Sequence, residues 1–267
     1  VRAFRSLEKG ELDISISYKG NDEFGYLYKR FNEMCSKLSN LIEEVYENKI
    51  RFKNVELKQL QYQINPHFLY NSFFILYNLI RAENNNCAMK LTQHLGSYYS
   101  YITKSNSDEV PLEKEVQHVK DYVEIQLIRF SNRIKAEFGD IPEEFLNLPV
   151  PRLILQPVVE NCFKHGLKNK LSGGILKLYV KWDLPYLSVF IEDNGEELDE
   201  KCLATIKELL VSGDIDVENA GLLNVHRRLR IRYGKDSGLY LSKREQNGLR
   251  VELRIMLKEE VLQCTVS

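Results

Sequence analysis

Residues 57–80 read LKQLQYQINPHFLYNSFFILYNLI and carry the apolar spacing of one long helix, although a proline stands at position 66. Proline lacks an N–H group and its ring clashes with the carbonyl four residues earlier. Pro66 therefore predicts a bend directly before His67. We interpret the bend as exposing His67 and allowing the helix to change its angle at this point. A passive kink is the alternative.

The preceding residues predict a helix that packs along an apolar seam. Asn21 or Asp22 is a suitable N-terminal cap. The seam has the three- and four-residue spacing of a coiled coil or bundle: Phe31, Met34, Leu38, Leu41 and Val45. Its phase shifts at Leu57, which indicates either imperfect packing or a joint that transmits helix motion.

Two further helices are predicted, from about Cys87 to Thr103 and from about Leu112 to Phe130. Together with the long helix they favour an antiparallel helical hairpin. Because one hairpin buries little apolar surface, we expect a dimer that forms a four-helix bundle.

From Asn132 the pattern changes to mixed strands and helices. RIKAEFG is a predicted strand, residues 151–167 a predicted helix, and the segments on either side of Leu184-Pro185 a β-hairpin. Helices near 198–211 and 222–233 and two closing strands, GLYLSKRE and GLRVELRIML, complete an α+β two-layer sandwich with helices on one face of a mixed sheet.

The composition excludes several functional classes. The chain has 267 residues and a formal net charge of −1, which gives no basic surface for nucleic acid or anionic lipid. The five cysteines lack metal-ligand spacing, so we expect reduced thiols. No apolar run approaches the roughly 20 residues of a membrane span. The first residues begin in the middle of a pattern, so a missing upstream segment is expected, with membrane helices as one possibility.

The segment VVENCFKHG brings together residue types that bind phosphate and magnesium. On a helix, Asn161, Lys164 and His165 lie three or four residues apart and share one face. A carboxamide oxygen can ligate Mg²⁺, and the two basic side chains can meet phosphate oxygens. Glu160 is adjacent. A solvated polar helix face is the alternative for such a set.

Two later motifs fit the same chemistry. FIEDNGEEL ends a strand in Asp193-Asn194-Gly195, which is first a turn signal, although the carboxylate could accept the exocyclic amine of adenine. In NAGLLNVHRRLRIRYG, Gly221 opens a helix whose free N–H groups suit phosphate, and Arg228 could assist.

The order of these motifs resembles the ATP-binding domain of the GHKL (Bergerat-type) superfamily: ENxxKHG, then DNG, then GLxNVxxRL. The upstream QINPHFLYNS, with YVEIQLIRFSNR and PRLILQPVVENCFKHG, is similar to the LytS/YesM-type sensor histidine kinases. The resemblance implies three regions: a partial HAMP linker and signalling helix over 1–50, dimerisation and histidine-phosphotransfer helices over 51–131, and the ATP-binding catalytic domain over 132–267.

The resemblance implies a role for each motif residue. His67 is the phosphoacceptor, Asn161 holds Mg²⁺ and Asp193 binds adenine, with ATP as the phosphate donor. The remaining nucleotide-binding positions are Lys164, His165, Gly195, Gly221, Leu222 and Arg228. Glu160 is a candidate for orienting the imidazole. Asn71, four residues after His67, is a candidate phosphatase residue, with bundle packing or a cap-like hydrogen bond as the alternative.

The implied function is the cytoplasmic part of a membrane-anchored, homodimeric two-component kinase that passes phosphate to a response-regulator receiver domain. The sequence departs from the family at Glu197 and Asn219, where glycines are usual. These changes leave two alternatives open: a degenerate dimeric scaffold with little ATP turnover, and a GHKL-type ATPase in which Glu160 activates water. We expect structural roles for His94, His118 and His226, for the tyrosine cluster at 98, 99 and 101, and for Trp182.

Overall fold

The structure of the protein is a computed structural model. It describes residues 16–17, 20, 22, 24–38, 40–41, 66–104, 108–131, 133–196, 200–212, 220–244 and 247–257. The chain divides into two compact units, Val1–Pro66 and His67–Ser267. The expected bend of the long helix depends on residues 51–65, which lie outside the described residues, as do Glu197 and Asn219.

In the first unit, residues 24–38 and 40–41 are helical (α1). The Asp22 carboxylate accepts a 3.0 Å hydrogen bond from the Gly25 N–H, which confirms the cap predicted at Asn21 or Asp22. Asn32 exchanges two hydrogen bonds with the Ile16 backbone, at 2.9 and 3.0 Å, and so ties the preceding segment to α1.

The predicted seam of α1 is largely open. Phe31 is buried, whereas Met34, Leu38 and Leu41 are 51%, 40% and 57% exposed; Val45 lies outside the described residues. An exposed apolar stripe of this kind is what a helix has before it packs against another chain.

The second unit contains helices and strands in alternation. The longer helices are α2 (Pro66–Arg81), α3 (Asn85–Lys104) and α4 (Leu112–Arg129), followed by α5 (Glu143–Leu146), α6 (Gln156–Asn161), α7 (Glu200–Ser212) and α8 (Ala220–Tyr233). A π-helical turn, Cys162–Gly166, continues α6. The strands are β1 (Glu109–Pro111), β2 (Ile134–Phe138), β3 (Pro149–Pro151), β4 (Gly174–Asp183), β5 (Tyr186–Asp193), β6 (Gly238–Lys243) and β7 (Leu249–Met256).

Five strands form one mixed sheet in the order β2-β4-β5-β7-β6. The β2–β4 pair is parallel and the other pairs are antiparallel, as expected for an α+β sandwich. The predicted hairpin is confirmed, with Asp183 opposite Tyr186. Strands β1 and β3 make a separate two-stranded antiparallel ladder.

Alternate side chains of strand β5 are buried up to its last residue. Leu187, Val189 and Ile191 are completely buried, and alternate residues of a strand face the same side. Asp193 continues this register and is 2% exposed. The sheet therefore buries the last carboxylate of β5 with the core side chains.

Helix α4 is part of this core. Val119 and Val123 are completely buried, as are Leu155 and Val158 near the start of α6. The second and third predicted helices are thus confirmed as α3 and α4. Of the helices in the described residues, none is long and apolar enough to cross a membrane.

The single helix predicted over residues 151–167 is wrong over its first five residues. Residues 152–155 form a turn in which Leu153 has a φ of 58°, and the helix begins at Gln156. The physical reason is a long-range contact: the Glu115 carboxylate accepts the N–H groups of Leu153, Ile154 and Leu155 at 2.6, 3.1 and 3.4 Å.

Candidate active site

The ENxxKHG and DNG motifs meet at the end of β5. A Cβ atom added to Gly166 would lie 2.5 Å from Asp193 Oδ1, and one added to Gly195 would lie 2.6 Å from Gly166 Cα. Both glycines are therefore needed for the backbone of the π-helical turn to approach the strand end this closely. Residues distant in sequence form one tightly packed junction.

The Asp193 carboxylate is held by its own turn and by the neighbouring strand. Its Oδ1 accepts the Gly195 N–H at 2.8 Å and the Leu249 N–H at 3.5 Å. Burial raises the pKa of Asp193, and the hydrogen bonds from Gly195, from the Cys162 side chain and from Leu249 partly offset this. The result is an oriented carboxylate inside the fold.

Cys162 contacts Asp193, and the sequence did not predict this contact. It is 1% exposed, and burial, with Asp193 next in importance, raises its pKa far above the usual value for a thiol. The thiol is thus neutral and serves Asp193 as a hydrogen-bond donor. The only sequence signal for this role is that Cys162 directly follows Asn161.

The remaining residues of ENxxKHG are spread along a change in helix type. Asn161 ends α6 and is half-buried, whereas Lys164 and His165 are exposed on the π-helical turn. The Leu167 N–H bonds to the Cys162 carbonyl at 2.8 Å, five residues back, as in a π-helix. The prediction that Asn161, Lys164 and His165 share one face assumed α-helical spacing. That spacing does not hold across the π-helical turn.

Glu160 lies in a partly buried polar cluster. Its Oε1 accepts a 2.6 Å hydrogen bond from Gln156 Nε2, and burial raises its pKa. Gln156 Nε2 also lies 2.8 Å from the Tyr98 hydroxyl, and Gln156 Oε1 lies 2.7 Å from His118 Nε2. Sequence reasoning gave Gln156 no role, although its position four residues before Glu160 is a signal for a helical pair.

The helix α8 begins beside α6. A Cβ atom on Gly221 would contact Pro157 Cβ at 3.4 Å, and Leu222 is 2% exposed. The two predicted positions therefore lie at the helix N-terminus, where backbone N–H groups lack partners within the helix, and that terminus adjoins the start of α6.

Arg228 has acidic electrostatic partners within the fold. It is half-buried, and burial lowers its pKa, while Glu115 and Asp108 act in the opposite direction. Its electrostatic partners thus lie on α4 and in the segment before β1. Its predicted contact with phosphate stays a prediction.

His67 is the second residue of α2 and is exposed. The Asn71 carboxamide nitrogen lies 3.1 Å from His67 Nε2 and 3.3 Å from Nδ1, so this side chain can orient the imidazole. The neighbouring Phe68 is 8% exposed, and its ring centroid lies 5.0 Å from that of Tyr98. The core thus anchors the helix one residue away from an accessible histidine.

The other histidines have structural surroundings, as expected. His118 is stacked with Tyr98 and Tyr101, with centroids 4.9 and 4.2 Å apart, and burial lowers its pKa to about 4. His94 contacts Asp121 at 2.8 Å. His226 Nδ1 accepts the Leu239 N–H at 3.0 Å. Trp182 is 53% exposed and contacts Phe145, with centroids 5.9 Å apart.

Comparisons with known proteins show which families and chains this sequence is similar to. The family model described as Histidine kinase matches residues 55–134. The sensor histidine kinase YesM of Bacillus subtilis is 29% identical over 266 residues, 98% of this chain and 44% of YesM. The sensor protein LytS of Oceanobacillus iheyensis is 30% identical over 215 residues, 79% of this chain and 37% of LytS.

Among solved structures, the nucleotide-free catalytic domain of histidine kinase ThkA aligns with 57% of this chain and 97% of its own, at 17% identity and a TM-score of 0.42. The chain spans less than half the length of YesM and of LytS. The chain is therefore similar to histidine kinases over residues 55–134 by the family model, and to sensor histidine kinases of the LytS/YesM type over most of its length by these two relatives.

Proposed function

We propose that this chain is the cytoplasmic, catalytic part of a two-component sensor kinase. It transfers the γ-phosphoryl group of ATP to His67 and then to an aspartate of a response-regulator receiver domain. The observation that carries this proposal is the contact of Gly166 with Asp193 and Gly195, because it brings the ENxxKHG and DNG motifs together in one place.

Asp193 has the capacity to bind adenine. An ionised carboxylate offers about four acceptor positions, and Gly195, Leu249 and Cys162 donate to it. About one acceptor position therefore remains for the exocyclic amine of the adenine ring. Gly195 keeps the turn small enough for the carboxylate to remain oriented.

The ENxxKHG motif and the start of α8 supply residue types that suit the phosphates of ATP and a magnesium ion. The carboxamide oxygen of Asn161 is a suitable hard ligand for Mg²⁺, which would neutralise charge on the phosphate oxygens. Lys164 and His165 are exposed on the next turn and supply positive charge. The N–H groups of Gly221 and Leu222 supply the helix N-terminus that favours an anion.

His67 would act as the nucleophile. An unprotonated ring nitrogen attacks the γ-phosphorus, a P–N bond forms, and the bond to the bridging oxygen breaks, leaving its electrons on ADP. The phosphorylated ring then loses the proton on its other nitrogen, for which Glu160 is the candidate acceptor. Asn71 holds the ring in place beforehand.

The helical part fits a homodimer. Helix α2 exposes a row of large apolar side chains, each at least 57% accessible: Tyr70, Phe73, Phe74, Tyr77 and Ile80. A second copy of this helix would bury them in a four-helix bundle. Tyr77→Glu should then shift the chain from dimer to monomer in sedimentation equilibrium, whereas Asn78→Glu, exposed on the same helix, should not.

The full-length protein would also contain a sensing part and a membrane anchor. The relatives are named as sensors, and the chain spans less than half of their length.

Incubation with γ-labelled ATP and Mg²⁺ separates the candidate functions. A kinase acquires acid-labile label that His67→Gln loses. An ATPase releases free phosphate without labelling the chain, and a scaffold does neither. Either of the last two results would overturn the proposed function.

A further inference from the structure

Gln156 lies where three elements meet. It is the first residue of α6, and its partners are Tyr98 on α3, His118 on α4 and Glu160 one helical turn further along α6. The distances are 2.8, 2.7 and 2.6 Å. One carboxamide thus joins the helix that carries Glu160 to both helices packed beside it.

The amide orientation is fixed by these partners. Because the carboxylate of Glu160 accepts hydrogen bonds, Gln156 must present its nitrogen to Glu160 and its oxygen to His118. His118 then donates from Nε2, and its Nδ1, which has no hydrogen-bond partner and is buried, is the unprotonated nitrogen. Rotating the amide by half a turn would set its oxygen against the carboxylate.

The cluster continues to the phosphoacceptor helix. Tyr98, 1% exposed, contacts Gln156 through its hydroxyl and Phe68 through its ring, with centroids 5.0 Å apart. Phe68 follows His67 directly. A single buried tyrosine therefore separates the residue beside the phosphoacceptor from the residue that holds Glu160.

We propose that Gln156 is a positioning residue of the kinase: it fixes the Glu160 carboxylate and ties it, through Tyr98, to the helix that presents His67. This inference rests on the proposed function, since it assigns Gln156 a part in phosphoryl transfer to His67. It gives Gln156 no contact with ATP.

The variant Gln156→Met tests this role, because methionine has a similar length and no amide. We expect the autophosphorylation rate at saturating ATP to fall about tenfold or more, as misplacement of a catalytic group can cost about 100-fold. The ATP concentration that gives half the maximal rate should stay within about twofold, since Glu160 rather than a nucleotide ligand is displaced.

Gln126→Met is the matched control. Gln126 is a buried glutamine that donates to the Tyr122 hydroxyl at 2.8 Å, so its loss removes one buried hydrogen bond, whereas Gln156→Met removes three. If both variants reduce the rate equally, and in proportion to the fraction of folded protein, Gln156 is merely structural and the proposal is overturned.

A double variant and a spectroscopic signal complete the test. In a Glu160→Gln background, Gln156→Met should cause no further loss of rate; a full additional loss contradicts action through Glu160. Long-range ¹H–¹⁵N spectra should assign the His118 proton to Nε2 in the wild type and show a changed signal in Gln156→Met. An unchanged His118 signal would refute the contact whether or not the protein is active.

The proposed function can fail separately from this inference. If the wild-type chain takes up no label on His67, the kinase assignment fails. If the wild type is labelled and Gln156→Met is labelled at the wild-type rate, only the role of Gln156 is refuted.

Discussion

Gly166 and Asp193 are in van der Waals contact: a Cβ atom on the glycine would lie 2.5 Å from the carboxylate oxygen Oδ1 and 2.6 Å from Cγ. Atoms cannot approach that closely without movement of one residue. Because Asp193 is held by the turn at Gly195 and is 2% exposed, an added methyl group must displace the carboxylate or the π-helical turn.

Gly166→Ala should therefore weaken nucleotide binding. Overpacking typically costs about 1–3 kcal/mol, and where this cost falls on the arrangement that binds nucleotide, the dissociation constant of a fluorescent ATP analogue should rise about fivefold or more. Gly96→Ala, on α3, is the control, because a Cβ there has no neighbour within 4 Å. Nucleotide binding by Gly166→Ala that equals that of Gly96→Ala would contradict the assigned site.

Asp193→Asn should change how stability depends on pH. Burial raises the native pKa of Asp193, so the native state keeps this proton where the unfolded chain has lost it. The resulting stability is fully present below the unfolded pKa of about 3.9 and is lost as the pH rises through the native value. Asparagine does not titrate and avoids this loss.

Urea unfolding of both proteins at a series of pH values measures the effect. The free energy of unfolding of Asp193→Asn, relative to wild type, should increase from about pH 4 upward, by about 1.4 kcal/mol for each unit by which the native pKa is raised. A difference that is constant with pH would show that the Asp193 carboxyl does not titrate abnormally.

Glu115→Gln should destabilise the fold without removing a nucleotide ligand. The Glu115 carboxylate is completely buried and accepts three backbone N–H groups before α6 as well as the Tyr101 hydroxyl. The glutamine NH₂ would face one or more of these donors, at a cost of about 1–3 kcal/mol. Denaturant unfolding measures this, with exposed Glu113→Gln as the control, for which we expect a change within about 0.5 kcal/mol.

Asn71→Ala tests the candidate phosphatase residue. The Asn71 amide lies 3.1 Å from His67 Nε2 and so could orient water against a phosphorylated partner. We expect the variant to dephosphorylate a receiver domain more slowly, measured by loss of label from the purified regulator. Asn78→Ala, exposed on the same helix, should behave like wild type. Dephosphorylation by Asn71→Ala at the wild-type rate would exclude this role.

The sheet was predictable because its signals are local. Alternation in β4 and β5, with the Leu184-Pro185 turn between them, predicts a hairpin, and the structure pairs Leu178 with Ile191 and Val180 with Val189. The DNG motif likewise predicts a carboxylate at a strand end. What alternation could not give was the partner of that carboxylate, since Gly166 comes from a different element.

The start of α6 was not predictable for a related reason. The residues before Gln156 have helical apolar spacing, but their N–H groups bond to Glu115, 38 to 40 residues earlier in the chain. A contact of that range has no local signature. The same holds for Arg228, whose position near Glu115 follows from the packing of α8 against other elements.

Locating the phosphate on the chain tests the central claim most directly. After incubation with MgATP, mass spectrometry under conditions that preserve phosphohistidine should place the phosphate on the His67 imidazole. Gly166→Ala should carry much less phosphate on His67, because the added methyl group disrupts the contact of Gly166 with Asp193. Phosphate on another residue, or none while an ATP analogue binds normally, would contradict the account.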